Sequence, residues 1–540
     1  MSPPTASTSL QPRERWLATS SLLLGMVSFT IAIMVANVIL PQLMTSLRAD
    51  LDQAQWVLTG PGIAQTVSMP LVGWLASLTG HRMLYLASLA LFCGGSVLSG
   101  LAWSIESLIA FQVVSGLGVG LMQPLIAAIL YQIFPPNQRG LALGLSMVGW
   151  SFGPAVGPIL GGYLVEWFNW RAAFYLCVPL GVVGFLSAWA FLPTLPRPGR
   201  KAMDQWGLLT LTVAMVTLSM ALTQGRREGW DSGYITTLFT MGTIASVSFL
   251  GIEWRSASPL VDLRLFRYAA FTFASLVVLL STAAFRGTGV LTIVFAQQVL
   301  DFTPLHVGWL LLTGNIAYGV TVIIAGRLAD RLSPWVLTTV GLGVFAFAFY
   351  WFSDMNETVS EWAFILLLTL RLASYGIVGP PNNLSAMRSL PEDQVVMASG
   401  VFTLLRSIAG TLGSAVSVTI YEQRYFVQVQ RYAEDNALQR WSLQEAIGTV
   451  QQALTSAGEA VSGLAVQSGV LLQQRLLAEA TTIAYQDFFL LAALASLLAI
   501  LPALPVQETW EAICRRRRQR APLTAVPPAP AERPQEVSKT

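Results

Sequence analysis

The sequence predicts an all-α, polytopic membrane protein, and three observations support this fold class. The 540-residue chain is 54% hydrophobic and only 11% charged, with a mean hydropathy of +0.60. An ordinary soluble domain carries about 25% charged residues, so this chain lacks the charge to cover a soluble surface. It contains apolar runs about 20 residues long, the length that a helix needs to cross a bilayer. Arg and Lys concentrate in alternate loops, which is typical of the cytoplasmic side of a membrane.

Fourteen apolar runs are the predicted transmembrane helices. They lie near residues 17–40, 54–76, 83–103, 108–131, 140–165, 171–192, 205–223, 233–252, 269–296, 307–326, 335–353, 362–381, 398–421 and 484–505. The first run is too long for a cleaved signal peptide and is followed by further spans.

The basic residues orient these helices. One set of loops and termini carries most of the positive charge: Arg13, Arg15, Arg82, Arg139, Arg197, Arg200, Lys201, Arg255, Arg264, Arg267, Arg327, Arg331, Arg388 and the "RRRRQR" segment at 515–520. The opposite short loops carry only Arg48, Arg171, Arg226 and Arg227. Both termini are therefore predicted to be cytoplasmic, which requires an even number of spans. The 515–520 segment is interpreted as a topology anchor rather than a nucleic-acid site.

Two halves of the chain are related by an internal repeat. "GWLASLTGHR" at 73 is similar to "GRLADRLSPW" at 326, and "PPNQRGLALG" at 135 to "LPEDQVVMASG" at 390. Parallel repeats of this kind form transporters whose substrate site lies between the halves near the midplane. The predicted units are a six-helix bundle, an inserted helix pair, a second six-helix bundle and a disordered Pro-rich tail, over residues 1–200, 201–265, 266–510 and 511–540. The second bundle includes a long outer loop, 422–483, in which we expect one or two amphipathic helices.

Several classes of chemistry are not indicated by the sequence. The cysteines, Cys93, Cys177 and Cys514, form no disulfide or metal-binding pattern, and the chain has only two histidines. Neither a nucleophile elbow nor a phosphate-binding loop is present. The sequence therefore predicts no catalytic residues, no metal, no cofactor and no nucleic-acid partner.

Four motifs resemble a known family. "GPAVGPILGG" at 153–162, "NWRAAFYLCVPLG" at 169–181, "NVILP" at 37–41 and "GRLAD" at 326–330 are together similar to the major facilitator superfamily, and within it to the fourteen-helix drug/proton antiporter branch of EmrB/QacA type. The resemblance covers about 15–510. It implies two six-helix bundles, plus two inserted helices, that rock about a central cavity.

The antiporter-like signature in the fifth helix is the predicted gating seam: Gly153, Pro154, Gly157, Pro158, Gly161 and Gly162. Glycines at i, i+4 and i+8 make a flat stripe that another helix backbone can approach closely. Each proline removes a backbone donor and bends the helix. Ordinary tight packing without a role in transport is the alternative interpretation.

The loop motif between the second and third helices of each half is the predicted latch, formed by Gly73, Arg82, Gly326, Asp330 and Arg331. Asp330 and Arg331 are expected to pair with helix ends and with the opposite half, and so to stabilise one access state. The first-half copy has Ser77 where the family usually has Asp, so we expect that latch to be weaker.

The predicted cavity departs from the family pattern in its charges. Ala32 stands where branch members commonly carry an Asp, and Gln112 where they carry an Arg. Intramembrane charges are costly and usually functional, and the second half carries three of them, Arg286, Arg371 and Arg406. Each could instead be a structural partner of backbone carbonyls. The remaining cavity candidates are polar: Asn37, Gln65, Gln123 and Asn315.

Asp487, near the outer end of the last run, is the predicted proton-coupling residue. We expect a bacterial inner-membrane exporter of amphipathic small molecules such as drugs, surrounded by lipid and working by alternating access with proton antiport. The resemblance also suggests a periplasmic adaptor and an outer-membrane channel as partners. Two alternatives stay open: an exporter of a lipid-like or anionic metabolite with different or no proton coupling, and a transport-dead membrane receptor or scaffold.

Overall fold

The computed structural model describes residues 11–49, 51–195, 204–256, 259–356, 358–391, 394–438 and 464–503. Every regular element within these residues is helical. The helices, numbered here in chain order, are α1 Pro12–Val38, α2 Leu40–Leu47, α3 Leu51–Ser68, α4 Leu71–Thr79, α5 His81–Gly100, α6 Ile105–Ile133, α7 Arg139–Trp167, α8 Trp170–Phe191, α9 Gln205–Glu228, α10 Gly233–Arg255, α11 Ala269–Gln298, α12 Pro304–Arg331, α13 Pro334–Phe352, α14 Glu361–Arg388, α15 Val395–Leu438, α16 Leu464–Leu498 and α17 Ile500–Ala503.

Thirteen helices in the described part are long and apolar enough to cross a membrane. The second predicted run is instead two consecutive shorter helices, α3 and α4, which are separated at Met69 and Pro70. A proline has no backbone N–H to donate, so a helix readily breaks there. The all-α polytopic membrane fold is confirmed, and the count of fourteen spans stays a prediction.

The two halves meet through repeat-equivalent helices. The fifth span of the first half, α7, packs against α12, and α15, the fifth span of the second half, packs against α3 and α4. α12 and the α3–α4 pair are each the second span of their half. This reciprocal arrangement is what a parallel repeat with a pseudo-twofold axis requires.

Of the five clusters of buried apolar residues in the described structure, two lie mostly within one bundle each. The first is built around α1, α5, α6 and α8 and includes Phe29, Phe92 and Trp170, which are all nearly fully buried. The second contains a group of aromatic rings on α13, α14 and α16, among them Phe349 and Phe364. Rings of this size bury large areas in few rotamers, so each bundle can move as a unit.

The inserted pair, α9 and α10, begins at capped helix ends. The side chain of Asp204 accepts a hydrogen bond from the Gly207 backbone N–H at 2.7 Å, and Ser232 accepts one from the Ile235 N–H at 3.3 Å. The two helices pack mainly against each other. The predicted domain boundaries at 200, 265 and 510 remain predictions, and the 511–540 tail lies outside the described residues.

The structure describes only the two ends of the long outer loop, and the amphipathic helices stay a prediction for 439–463, which lie outside the described residues. α15 continues without a break from the membrane-spanning part to Leu438, and α16 begins at Leu464, well before its apolar run. The described parts of 422–483 are therefore extensions of the spanning helices rather than separate helices lying on the outer face. The mixed polarity of this loop fits the end of a long helix that leaves the membrane as well as it fits a surface helix.

Candidate transport pathway between the two halves

Polar contacts join the two halves on the side where α1 begins, which is the predicted cytoplasmic side. Thr66 on α3 and Ser407 on α15 are hydrogen-bonded at 3.0 Å near the middle of the bundle. Closer to the predicted cytoplasmic side, the Ser399 hydroxyl on α15 donates to the Pro124 carbonyl on α6 at 2.6 Å. These contacts hold the halves together between mid-bundle and that side.

Asp330 binds the end of a helix in the opposite half. Its two carboxylate oxygens accept hydrogen bonds from the backbone N–H groups of Gly140 at 2.7 Å and Leu141 at 3.0 Å, in the first turn of α7. Arg388 on α14 lies 3.8 Å away. The Asp330 side chain is only 7% exposed. A carboxylate at the end of its own helix is unfavourable, but the N-terminus of α7 attracts negative charge.

The other predicted latch residues surround this contact or its counterpart. Gly326 on α12 faces Gly140 so closely that a Cβ on either glycine would meet the other's carbonyl oxygen. Gly73 on α4 faces Met397 on α15 in the equivalent position, where an added Cβ would lie 3.1 Å from the Met397 Cβ. Arg82 donates to the Trp189 carbonyl within its own half, and Arg331 is exposed.

The glycine stripe of α7 packs against α1 of its own half. A Cβ at Gly153 would meet the backbone of Thr30, and one at Gly157 would meet the Met34 side chain. The face of α7 that contacts the opposite half is formed by Gly140 and Gly144, which lie against α12. The predicted seam between the halves is therefore located on a different face from the stripe, because α7 has two glycine-lined faces.

The rest of the signature is helical but less informative. α7 runs unbroken through Pro154, and Gly161 is buried. The surroundings of Pro158 and Gly162 lie outside the described residues. Whether the stripe takes part in gating stays a prediction.

The polar cavity candidates separate into satisfied and open groups. Gln112 donates to Ser99 on α5 at 3.0 Å, and Asn315 donates to the Leu311 carbonyl of its own helix at 2.8 Å. The Nε2 of Gln123 is buried without a hydrogen-bond partner among the described residues. Gln65 is half-buried on α3, and the side chain of Asn37 lies outside the described residues.

Arg371 is buried, 3% exposed, within the second bundle. Its Nε donates to the Thr288 hydroxyl at 3.1 Å and one terminal nitrogen donates to the Phe285 carbonyl at 2.5 Å. The guanidinium carbon lies 4.8 Å from the centre of the Phe285 ring. No carboxylate in the described part of the chain forms an ion pair with it. Arg371 thus pairs with α11, and the Phe285 ring stacks at 3.9 Å on Tyr375.

Arg406 lines a small cavity between the halves. The cavity wall comes mostly from the second half and includes Tyr318, Tyr375, Asn382 and Arg406, with Met147 contributed by α7 of the first half. The Nε of Arg406 and the side-chain oxygen of Asn382 are buried without hydrogen-bond partners in the described structure. This cavity therefore presents a charged donor and a free acceptor.

Arg286 lies close to this cavity. It is exposed on α11, and its aliphatic stem covers Gly410 on α15. Gly410 is one helical turn after Arg406 on α15. Arg286 and Arg406 thus lie close to the same cavity, whereas Arg371 is bonded to Thr288 and Phe285 on α11.

Asp487 is not in the cavity. Its carboxylate lies 3.6 Å from Arg424 on the outer part of α15, and both side chains are partly exposed. A partly exposed pair of this kind contributes about 0–1 kcal/mol to stability. The structure does not test the coupling role predicted for this residue.

Sequence reasoning missed one buried carboxylate, Glu253. It is 3% exposed at the end of α10, and a Cβ added at Gly207 would lie 2.8 Å from one of its oxygens and 3.0 Å from the Asp204 side chain. The apolar run predicted near 233–252 ends one residue before Glu253. An acid directly after such a run, followed by Trp254, was the available signal.

Comparison with known proteins decides the family. A family model described as Major Facilitator Superfamily matches residues 22–414, which is well over half of the chain. The chain belongs to the Major Facilitator Superfamily. Among individual relatives, it is 30% identical over 404 residues to the multidrug export protein EmrB of Haemophilus influenzae, covering 74% of this chain and 79% of that protein. It is 29% identical to the fatty acid resistance protein FarB of Neisseria gonorrhoeae, covering 77% and 83%.

The architecture is also that of a solved Major Facilitator Superfamily member. The crystal structure of the human organic anion transporter MFSD10 (TETRAN) matches with a TM-score of 0.58 at 16% identity, covering 92% of this chain and all of the matched chain. At that identity the likeness concerns the fold alone. The predicted family is confirmed, and the protein is a multi-pass membrane transporter with EmrB-type relatives.

Proposed function

We propose that this transporter exports amphipathic small molecules by alternating access, from the inner membrane of a bacterium, with both termini in the cytoplasm. The observation that carries the proposal is the arrangement of the interface between the halves. A cavity with unpaired polar groups lies at mid-bundle, and below it the halves are held together by small residues and by Asp330 at the end of α7. Opening this contact would expose the cavity to the predicted cytoplasmic side.

The relatives support export as the direction of transport. EmrB is a multidrug export protein, and FarB is a fatty acid resistance protein. Both names fit substrates with an apolar body. A periplasmic adaptor and an outer-membrane channel are proposed partners, and the outer extensions of α15 and α16 are the surface that we propose for the adaptor. Membership of a transporter family supports a role without catalysis.

Proton antiport is the proposed source of energy, and two carboxylates could carry the proton. Asp487 would release Arg424 when protonated, which would loosen the outer ends of α15 and α16. Glu253 is buried and lies beside Asp204 at the opposite end of the bundle.

The coupling test is export into inverted vesicles with and without a proton gradient. We expect D487N to abolish the gradient dependence of export, and E253Q to leave it intact. Loss of coupling in E253Q alone would transfer the role to the inserted helix pair. Export that ignores the gradient in the unmodified protein would refute proton antiport.

One observation favours a second candidate, an exporter of an anionic or lipid-like metabolite. The described cavity wall contains Arg406 and no carboxylate. A positive, poorly hydrated cavity attracts anions and repels lipophilic cations. Export of a matched pair of anionic and cationic dyes separates the candidates, because a general drug pump would carry both.

A further inference from the structure

We propose that the cavity beside Arg406 is the subsite for the anionic oxyacid head of an amphipathic substrate. This inference rests on the proposed export function and deepens it by naming the charged part of the substrate. The head would enter between α11, α12, α14 and α15, while the apolar tail would extend toward Met147 on α7 of the first half.

The first argument is the state of the polar groups. Arg406 is half-buried, yet its Nε is fully shielded and has no hydrogen-bond partner in the described structure. The Asn382 side-chain nitrogen is used, since it donates to the Ala274 carbonyl at 3.0 Å, and its oxygen is left open. Buried polar groups in native proteins almost always bond to protein or to ordered water, so the open donor and acceptor mark a place for a water molecule, whose position the head of a substrate would take.

The second argument is the contrast with Arg371. That guanidinium is also buried, but it is held by Thr288, by the Phe285 carbonyl and by the Phe285 ring. Within the described residues, the contact shown for the Arg406 guanidinium is the Phe402 ring at 5.7 Å. Arg371 therefore positions the stacked rings of Phe285 and Tyr375, and Arg406 is the cation that remains available for binding.

The third argument is the position and charge of the cavity. Arg406 is eleven residues from Val395 at the start of α15, or about 16 Å along the helix, which is near the middle of a bilayer core about 30 Å thick. No carboxylate is among the residues that line the cavity, and the side chain of Arg286 covers Gly410, one helical turn from Arg406. A carboxylate, phosphate or sulfonate accepts charge-assisted hydrogen bonds from an arginine readily. A hydroxyl or N–H next to the acid group would reach the Asn382 oxygen.

The test measures equilibrium binding to the full chain in nanodiscs of neutral lipid. The probes are pyrenebutanoate and its uncharged carboxamide, which differ only in the head. We expect the unmodified protein to prefer the anion, and R406Q to reduce this preference at least about tenfold, the loss of one charge-assisted hydrogen bond. R406K should restore part of it, which a purely structural role would not predict. The control is R267Q, which removes an exposed charge outside the cavity.

The outcomes separate the site from the transport function. Anion preference that is unchanged in R406Q, with the variant folded as judged by gel filtration, would overturn the subsite even if export is real. Arg406-dependent binding without export in proteoliposomes would overturn the proposed function and leave the subsite standing. Phosphatidylglycerol carries the same anionic chemistry. If phosphatidylglycerol displaces the probe from the unmodified protein but not from R406Q, the site binds a bilayer lipid, and the substrate role is overturned.

Discussion

Replacing Asp330 with asparagine should destabilise the state in which the predicted cytoplasmic side is closed. The carboxylate spans two backbone donors of α7, Gly140 and Leu141, at 2.7 and 3.0 Å. Asparagine has the same shape but only one acceptor oxygen and no charge. It can keep one of the two hydrogen bonds, and its amide group would then face the other N–H.

The size of the effect follows from these contacts. A hydrogen bond to a charged group contributes about 1.5–3 kcal/mol, and a negative charge at a helix N-terminus about 0.3–1 kcal/mol. The variant should therefore weaken the closed state by about 2–4 kcal/mol, which changes its equilibrium with the opposite state by about 30- to 700-fold. The ion pair with Arg388 adds little, because the distance is 3.8 Å and that arginine is 39% exposed.

Spin labels on the two halves would measure this shift. Met83 on α5 and Val336 on α13 are 63% and 48% exposed, respectively, and lie at the predicted cytoplasmic ends of their helices. The native cysteines would be replaced first. Double electron–electron resonance between labels at these positions should then show a larger population of long distances in D330N than in the protein without this substitution.

The matched control is Ser77, which occupies the repeat-equivalent position without a charge. S77A should shift the distances much less than D330N. Identical distance distributions in D330N and the unmodified protein, with export also unchanged, would show that the carboxylate is not a latch.

Three further predictions concern other residues. G157L should insert normally but lose export, because the leucine side chain would press on Met34 at a cost of about 1–3 kcal/mol. The control is G94L, at a glycine with open space around it. Full export by G157L would exclude a role for the stripe. R371Q should lower the melting temperature by several degrees, as measured by thermal aggregation, because it removes two charge-assisted hydrogen bonds of about 1.5–3 kcal/mol each; an unchanged temperature would mean that these bonds contribute nothing. R286A should reduce export of an acidic dye more than that of a neutral one in inverted vesicles, and equal reduction would contradict the positive cavity.

The sequence was sufficient for thirteen of the predicted spans and for the contact of Asp330 with a helix end of the opposite half. Apolar length identifies a transmembrane helix because lipid leaves the backbone no other partner than itself. Asp330 could be singled out because the loop motif occurs in both halves and differs between them. Its partner could only be described as a helix end, since the sequence does not say which helix begins within reach.

The packing of α7 shows where sequence reasoning stops. Glycines at four-residue spacing indicate a close approach, but they do not identify the approaching helix. α7 carries one such series at Gly140 and Gly144 and another at Gly149, Gly153 and Gly157. Only the three-dimensional arrangement shows that the first faces α12 and the second faces α1.

Arg406 was predicted as a cavity residue, but Asn382 beside it was not. Asn382 follows two prolines at the end of an apolar segment, and its residue type alone does not distinguish it from an asparagine that bonds to a neighbouring helix. Its nitrogen does so, whereas its oxygen remains open. A residue type can predict its capacity for hydrogen bonds, but which part of that capacity is used depends on neighbours that are distant in sequence.

The two halves are similar in fold and unequal in charge, and this inequality divides their roles. The buried arginine and the two arginines near the cavity all belong to the second half, and so does the carboxylate that binds α7. The first half contributes Met147 to the cavity and backbone N–H groups to the latch. Rocking would therefore carry a charged binding surface past a largely apolar one. In such an arrangement the apolar wall can accept tails of many shapes, while the charged wall selects the head group.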